Sequence, residues 1–303
     1  MSTSHHRFTC AVAVGGWRTV FALGCLFGAL VGGHAQSPGE TNAASPPSEL
    51  KLTCGGAVAA RALANQANNP TAPLTLVQFR DVYVPKVPGY DSGANVMQID
   101  PVFPIFASRL IPFEQLMKLT LQVPTTPRPG SQTGFGDTAI FDLVSIKQSW
   151  GRWGFGPAMV FPTASSSQLG QGKWQAGPAV ALIYTGIENL AAGAVLQNPI
   201  SFAGDSSRPP VNALSLTPTL TYNLPQGWFA GYSDFEWTFD WKNGGSGTIP
   251  LGLQAGKVFK IGKVPVSLSL EGAWMAVRPD NAPEWLVALV FSVIFPTARK
   301  DHR

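Results

Sequence analysis

In "ALSLTPTLTYNL", Ala213, Ser215, Thr217, Thr219, Thr221 and Asn223 alternate with Leu214, Leu216, Pro218, Leu220, Tyr222 and Leu224. Successive side chains of a strand point to opposite faces, so one row is polar and the other greasy. The period recurs in "VPVSLSLEGAW", where Val264, Val266, Leu268, Leu270 and Trp274 oppose Ser267, Ser269 and Glu271. "TIPLGLQAGKVFK" sets Ile249, Leu251, Leu253 and Phe259 against Thr248, Gly252, Gln254 and Lys260. "RWGFGPAMVF" sets Trp153, Phe155, Met159 and Phe161 against Arg152 and the small Gly154, Gly156 and Ala158. "GDTAIFDLVSIKQ" is less tidy, with Phe141 and Lys147 on one face and Ile140 and Asp142 on the other. A period of two selects strands and excludes amphipathic helices.

From Leu74 onward such runs are separated by Gly, Pro, Asn, Asp or Ser clusters, the punctuation of hairpins. The runs fall at 74–84, 96–106, 116–124, 137–148, 152–162, 174–186, 190–202, 213–224, 227–241, 248–260, 264–277 and 284–296. "PQG" and "IGK" read as tight turns, and "NPISFAGDSSRPPVN" and "DWKNGGSGT" as longer connections, so long and short loops should alternate between two faces. Only 13% of the residues are charged, and mean hydropathy is +0.11; soluble domains carry about a quarter of their residues as charges. Beyond the N-terminus no apolar run approaches the roughly 20 residues that a membrane helix requires. The expectation is an all-β fold, a closed antiparallel transmembrane β-barrel of about 12 strands.

Residues 1–35 read as a signal peptide. Arg7 and Arg18 accompany an apolar stretch from Val20 to Val31, and Gly33 and Ala35 suit the −3 and −1 positions of a cleavage after Ala35. Residues 36–73 form a Pro/Ser-rich, flexible periplasmic extension in which "AVAARALANQ" can make a short helix, and 74–303 the barrel. Cleavage removes Cys10, Cys25, His5, His6 and His34, leaving Cys54 and His302. No intrachain disulfide, catalytic triad or metal cluster can be assembled from that inventory, so neither a catalytic nor a metal residue is assigned, no cofactor is expected, and the chain is not read as an enzyme. The mature chain keeps 19 basic against 17 acidic residues once Arg7 and Arg18 leave, which gives no clustered basic face for nucleic acid.

Tryptophans stand near strand ends, as Trp153, Trp174, Trp241, Trp274 and Trp285 do. An indole with an apolar body and a polar N–H suits the boundary between hydrocarbon and headgroups; the core of a water-soluble β-sandwich is the rival reading. In "GWFAGYSDFEWTFDW", continuous alternation turns Phe235, Trp237 and Phe239 to lipid and Asp234, Glu236 and Asp240 to the lumen. With Thr217, Thr219, Gln254, Lys260 and Glu271 these are the candidate lumen-facing residues. The carboxylates either form an acidic strip or neutralise inward bases such as Lys260 or Arg152.

"GFGDT" (Gly134 to Thr138), "GFGPAMVFPTA" (Gly154 to Ala164), "LGQGKWQAGPAVAL" (Leu169 to Leu182), "PEW" (Pro283 to Trp285) and "FPT" (Phe295 to Thr297) resemble a family of Gram-negative outer-membrane transporters. That family is often mislabelled "neuromedin U" and is similar to the outer-membrane barrels of meta-pathway phenol degradation. The resemblance implies a porin-like channel in the outer membrane for small solutes, hydrophobic or aromatic ones included. Its partners would be outer-membrane lipid, the barrel-assembly machinery that reads "EWLVALVFSVIF", and the solute. The alternatives are a non-conducting structural or adhesive barrel and a soluble periplasmic lipid-carrying β-protein. Within the motifs, Asp137 is expected to bond locally at its turn, Lys173 to sit at headgroup level, and Trp174 to anchor the interface.

Overall fold

The computed structural model describes residues 74–295 except 109 and 110. The segments expected to be a leader and an extension with a short helix, Cys54, and residues 296–303 lie outside the described residues. Fourteen strand segments are present: β1 (Thr75–Val84), β2 (Ala94–Ile105), β3 (Gln115–Thr125), β4 (Thr138–Gln148), β5 (Gly151–Phe161), β6 (Lys173–Tyr184), β7 (Leu190–Gln197), β8 (Ile200–Gly204), β9 (Ala213–Asn223), β10 (Trp228–Tyr232), β11 (Trp237–Asp240), β12 (Ser246–Ile261), β13 (Val264–Val277) and β14 (Trp285–Phe295). β7 and β8 share β6 as a neighbour, and β10 and β11 both run between β9 and β12. Each of those two pairs is therefore one interrupted strand.

Every pairing is antiparallel. β14 joins β1, and β13 joins both β14 and β12, so the ladder returns on itself as a closed 12-strand barrel. Closure satisfies the backbone N–H and C=O groups that hydrocarbon cannot. Short connections at 149–150, 185–189, 224–227 and 262–263 gather at the end where β1 begins and β14 finishes. The longer loops 126–137, 162–172 and 205–212 lie at the other end, while the nine-residue connection between β2 and β3 lies with the short ones and departs from the expected alternation.

The rows sort as their chemistry dictates. On β13, Leu268, Leu270 and Trp274 are exposed, while Ser267, Ser269, Glu271 and Ala273 are buried. On β9, Leu220 and Tyr222 are exposed, while Thr219, Thr221 and Asn223 are buried. The exposed row is the outer wall. Its charged members are handled locally: Asp81 accepts a hydrogen bond from Asn95 at 2.6 Å, and the Lys257 ammonium lies 4.9 Å from the Trp228 ring centroid. Asp142 also belongs to the outer row, opposite Met117 on β3.

Both interruptions are written in proline. At Asn198 and Pro199 the strand faces Pro178 of β6, and the Asn198 amide bonds the Pro178 carbonyl at 3.0 Å. Between β10 and β11, residues 233–236 face Pro218 on one side and Pro250 on the other, neither of which has an N–H to donate. The register shows one surplus residue here relative to both neighbours: Tyr232 opposes Leu253 but Thr238 opposes Thr248, and Gly231 opposes Thr221 but Trp237 opposes Leu216. One extra residue inverts the faces. Phe229 and Gly231 therefore point inward, whereas Trp237 and Phe239 point outward with Leu216 and Leu214. This corrects the continuous alternation expected across 227–241, and in particular the lipid-facing position expected for Phe235, which is 6% exposed and inside.

Nitroxide labels at Leu216 and Leu268 are expected to be reached by dissolved oxygen and shielded from aqueous quenchers, and a label at Ser269 is expected to escape that pattern. A Cβ on Gly231 would stand 1.9 Å from the Leu220 carbonyl oxygen. Gly231→Val should therefore abolish the SDS-resistant, heat-modifiable band of the folded barrel on an unboiled gel, whereas Gly262→Ala, at a positive φ in an open turn, should leave the band and lower stability by about 1 kcal/mol.

Candidate functional site: the inward segment 233–236

Segment 233–236 leaves the wall and drapes over the inner face from β9 to β14. Phe235 anchors it, packed in one apolar cluster with Val84, Ala273, Met275, Leu286, Ala288 and Val290, which are inward residues of β1, β13 and β14. Burying a phenylalanine contributes about 1.5–3 kcal/mol. The Ser233 amide donates to the Gly252 carbonyl at 3.1 Å, and Gln254 Nε2 donates to the Tyr232 carbonyl at 2.7 Å. On the outer side Tyr232 OH donates to the Pro250 carbonyl, and Trp237 Nε1 reaches both groups at 3.1 and 3.2 Å. These bonds replace the ladder that the prolines interrupt.

Charge is organised around this anchor. Arg80 of β1 makes a two-pronged contact with Glu271 of β13, Nη2 to Oε2 at 2.7 Å and Nη1 to Oε1 at 3.3 Å, and its guanidinium lies 4.7 Å from the Phe235 ring centroid. The Asp234 amide also donates to Glu271 Oε2 at 3.3 Å, and Gln254 Nε2 approaches Asp234 Oδ1 at 3.4 Å. Glu236 bonds the inward Ser215 of β9 and remains exposed within the barrel. Half-way round the ring, Lys118 of β3 pairs with buried Asp100 of β2 at 2.9 Å and keeps 31% of its side chain exposed. Arg152 of β5 pairs with Glu114 at 3.2 Å and bonds Ser145 at 3.0 Å.

The sequence-derived candidates occupy distinct places. Asp234, Glu236, Gln254 and Glu271 come together here. Thr217 and Thr219 line β9 beside the segment on its inward row. Lys260 stands exposed at the short-turn end of β12, away from the cluster. Asp240 accepts from the Lys242 amide at 2.7 Å and caps the loop after β11. Sequence reading did not single out Arg80, Lys118 and Asp100. They lie on β1 to β3, and Arg80 in "TLVQFRDVYV" shares the inward row with Gln78 and Val82, a signal that alternation could have supplied.

Among the candidate interface aromatics, Trp153 stacks on Phe155 near the short-turn end, with centroids 5.8 Å apart. Trp174 meets Phe161 edge-on at 5.5 Å near the other end. Trp274 opposes Trp285 at that same end, and Trp241 donates from Nε1 to Asn198 at 2.8 Å.

The motifs that begin at Gly134, Gly154 and Leu169 meet at the long-loop mouth. Asp137 accepts from the amides of Ala164 and Gln171, so it clamps loop 162–172 instead of bonding locally at its own turn. Thr163 Oγ1 donates to the Gly136 carbonyl at 3.1 Å and accepts from the Thr138 amide at 3.0 Å. Gly170 fits against Asp137 with no room for a Cβ, whose position would fall 2.4 Å from Oδ1. Lys173 is buried and donates to the Asp205 carbonyl at 2.6 Å, which corrects its expected place at headgroup level. Hydrogen bonds from the Ser207 hydroxyl and amide, with Arg208 and Lys173 nearby, hold the Asp205 carboxyl below the usual range.

No protein-family profile and no curated protein matches the chain. Solved structures do. The chain is similar to an outer membrane channel from Pseudomonas putida F1 at 14% identity and a TM-score of 0.49, covering 73% of this chain and 94% of that one. It is similar to the NanC porin at 10% identity and 0.47, covering 74% and 100%, and to the KdgM porin at 10% and 0.43, covering 74% and 99%.

Removing one partner of a buried ion pair strands the other. Glu271→Gln should destabilise the barrel by about 3–5 kcal/mol, and the double variant Arg80→Met with Glu271→Leu should cost less than Glu271→Gln alone. Urea unfolding in detergent micelles, followed by tryptophan fluorescence, measures both; equal losses would show that the pair is not coupled.

Proposed function

We propose that the protein is a porin-like barrel of the Gram-negative outer membrane that passes small solutes without catalysis. The observation that carries this reading is that Glu236 stays exposed inside the barrel at mid-wall, facing a partly exposed Lys118 on the opposite wall. Water therefore reaches the lumen between segment 233–236 and β3. The inward fold makes that passage asymmetric. A charged lining of both signs speaks for a small polar solute over a hydrophobic or aromatic one. The outer wall, with Leu253, Leu270 and Leu289 each more than half exposed, suits hydrocarbon and not the water a soluble lipid carrier would meet. Its two aromatic ends suit the headgroups. The aromatic row of β14, from Trp285 to Phe295, is the segment that assembly machinery would read.

A second reading has its own observation. Three apolar clusters occupy the inner face: the one around Phe235, a smaller one of Leu74, Phe229, Val258 and Ile294 near the short-turn end, and one of Leu143, Ala158, Ala179 and Ala181 on β4 to β6. If those clusters meet the facing wall, the barrel is structural or adhesive. Conductance decides between the two. Purified protein in planar bilayers should give discrete current steps, and Phe235→Ala, which frees the segment from its pocket, should raise single-channel conductance. No current above bare membrane, together with no swelling of loaded liposomes for any small solute, would leave the structural barrel as the surviving reading.

A further inference from the structure

We infer that Glu236 and Asp234 make the passage selective for cations. The inference rests on the channel reading and adds to it the sign of the solute. Its basis is the pairing of charges along the inner wall. At mid-lumen Arg80 is committed to Glu271 and Lys118 to Asp100, each across less than 3 Å at the closest approach. Arg152 is committed to Glu114. Asp234 and Glu236 have no ion-pair partner among the described residues: Asp234 meets the neutral amide of Gln254, and Glu236 meets the hydroxyl of Ser215. Arg80 and Lys118 act on these two only at a distance, each already bound to a carboxylate of its own, so two carboxylates stand in excess of the paired charges.

Position gives those charges their weight. Segment 233–236 lies on the inner face, so its carboxylates stand inside the barrel, where the low-dielectric wall concentrates their field. Glu236 is exposed there, so a passing ion meets it directly. Beyond Arg80 and Lys118, whose charges are shared with Glu271 and Asp100, further bases stand at the rim. Lys147 and Lys260 are exposed at the short-turn ends of β4 and β12, beside the turns 149–150 and 262–263. In bulk electrolyte their influence fades over roughly 8–10 Å. At the other mouth Lys173 is buried on the Asp205 carbonyl, and Asp240 is engaged by the Lys242 amide. Small metal cations and organic ammonium ions are the favoured class; small anions are disfavoured.

The test is the reversal potential across a planar bilayer that holds the full chain between two KCl concentrations. The expected result is a cation-over-anion permeability ratio of several-fold in the native protein. It should fall toward one in Glu236→Gln and in Asp234→Asn. Lys118→Gln, which frees Asp100, should raise it. A heat-modifiable band on an unboiled gel establishes that each variant has folded. Current with a reversal potential of anionic sign, or a ratio unchanged in both carboxylate variants, overturns the selectivity and leaves the channel reading intact. No current at all in the native protein overturns both.

Discussion

A backbone amide in hydrocarbon has no water to fall back on, and that single constraint shapes this molecule. It demands that the sheet close, which it does where β13 takes both β12 and β14 as partners. It also makes every proline in the wall an event. A proline opposite an ordinary residue removes one donor, and the wall absorbs the loss. Where Pro218 and Pro250 stand on the two sides of the same strand, neither neighbour can complete the ladder for residues 233–236. Those residues cannot bulge toward lipid, because their freed amides and carbonyls would be stranded there. Inward is the remaining direction, and there Gly252, Gln254 and Glu271 supply partners.

Most of the wall was legible because a half-buried barrel strand has only one rule. Each of the runs bounded by turn residues corresponds to a barrel strand, and even the untidy β4 resolves as its sequence implied, with Phe141 and Lys147 inside and Ile140 and Asp142 outside. The inward segment was not legible from alternation alone. Phe235, Trp237 and Phe239 keep a perfect period of two along the chain, and a surplus residue relative to neighbouring strands leaves no trace in that count. The trace is in the partners, as prolines in two other strands. Seeing it requires knowing which strands are adjacent, and pairing is a property of the closed ring. The same limit applies to Asp137 and Lys173, whose partners at 164, 171 and 205 are remote in sequence and near only once the loops have met.

Inside the barrel the rules of a buried core and of a water-filled channel compete. The half near β12 to β1 follows the first: Glu271 is 1% exposed and tolerable only because Arg80 and the Asp234 amide satisfy it. An unpaired carboxylate in that position would cost several kcal/mol. Glu236, two residues from Asp234, differs: its side chain stays exposed on the inner face and makes no direct ion pair among the described residues. The boundary between the two regimes runs through a single short segment.

Phe235 explains how one segment serves both. Its ring has to reach the pocket formed by Met275, Leu286 and Val290, and in an extended stretch that direction fixes the opposite one for its neighbours. Asp234 and Glu236 are thereby turned away from the pocket, one toward Gln254 and the other toward Ser215. The apolar anchor and the exposed charge are consequences of the same alternation that builds the wall. It operates one residue out of phase, on a piece of chain that two prolines have released.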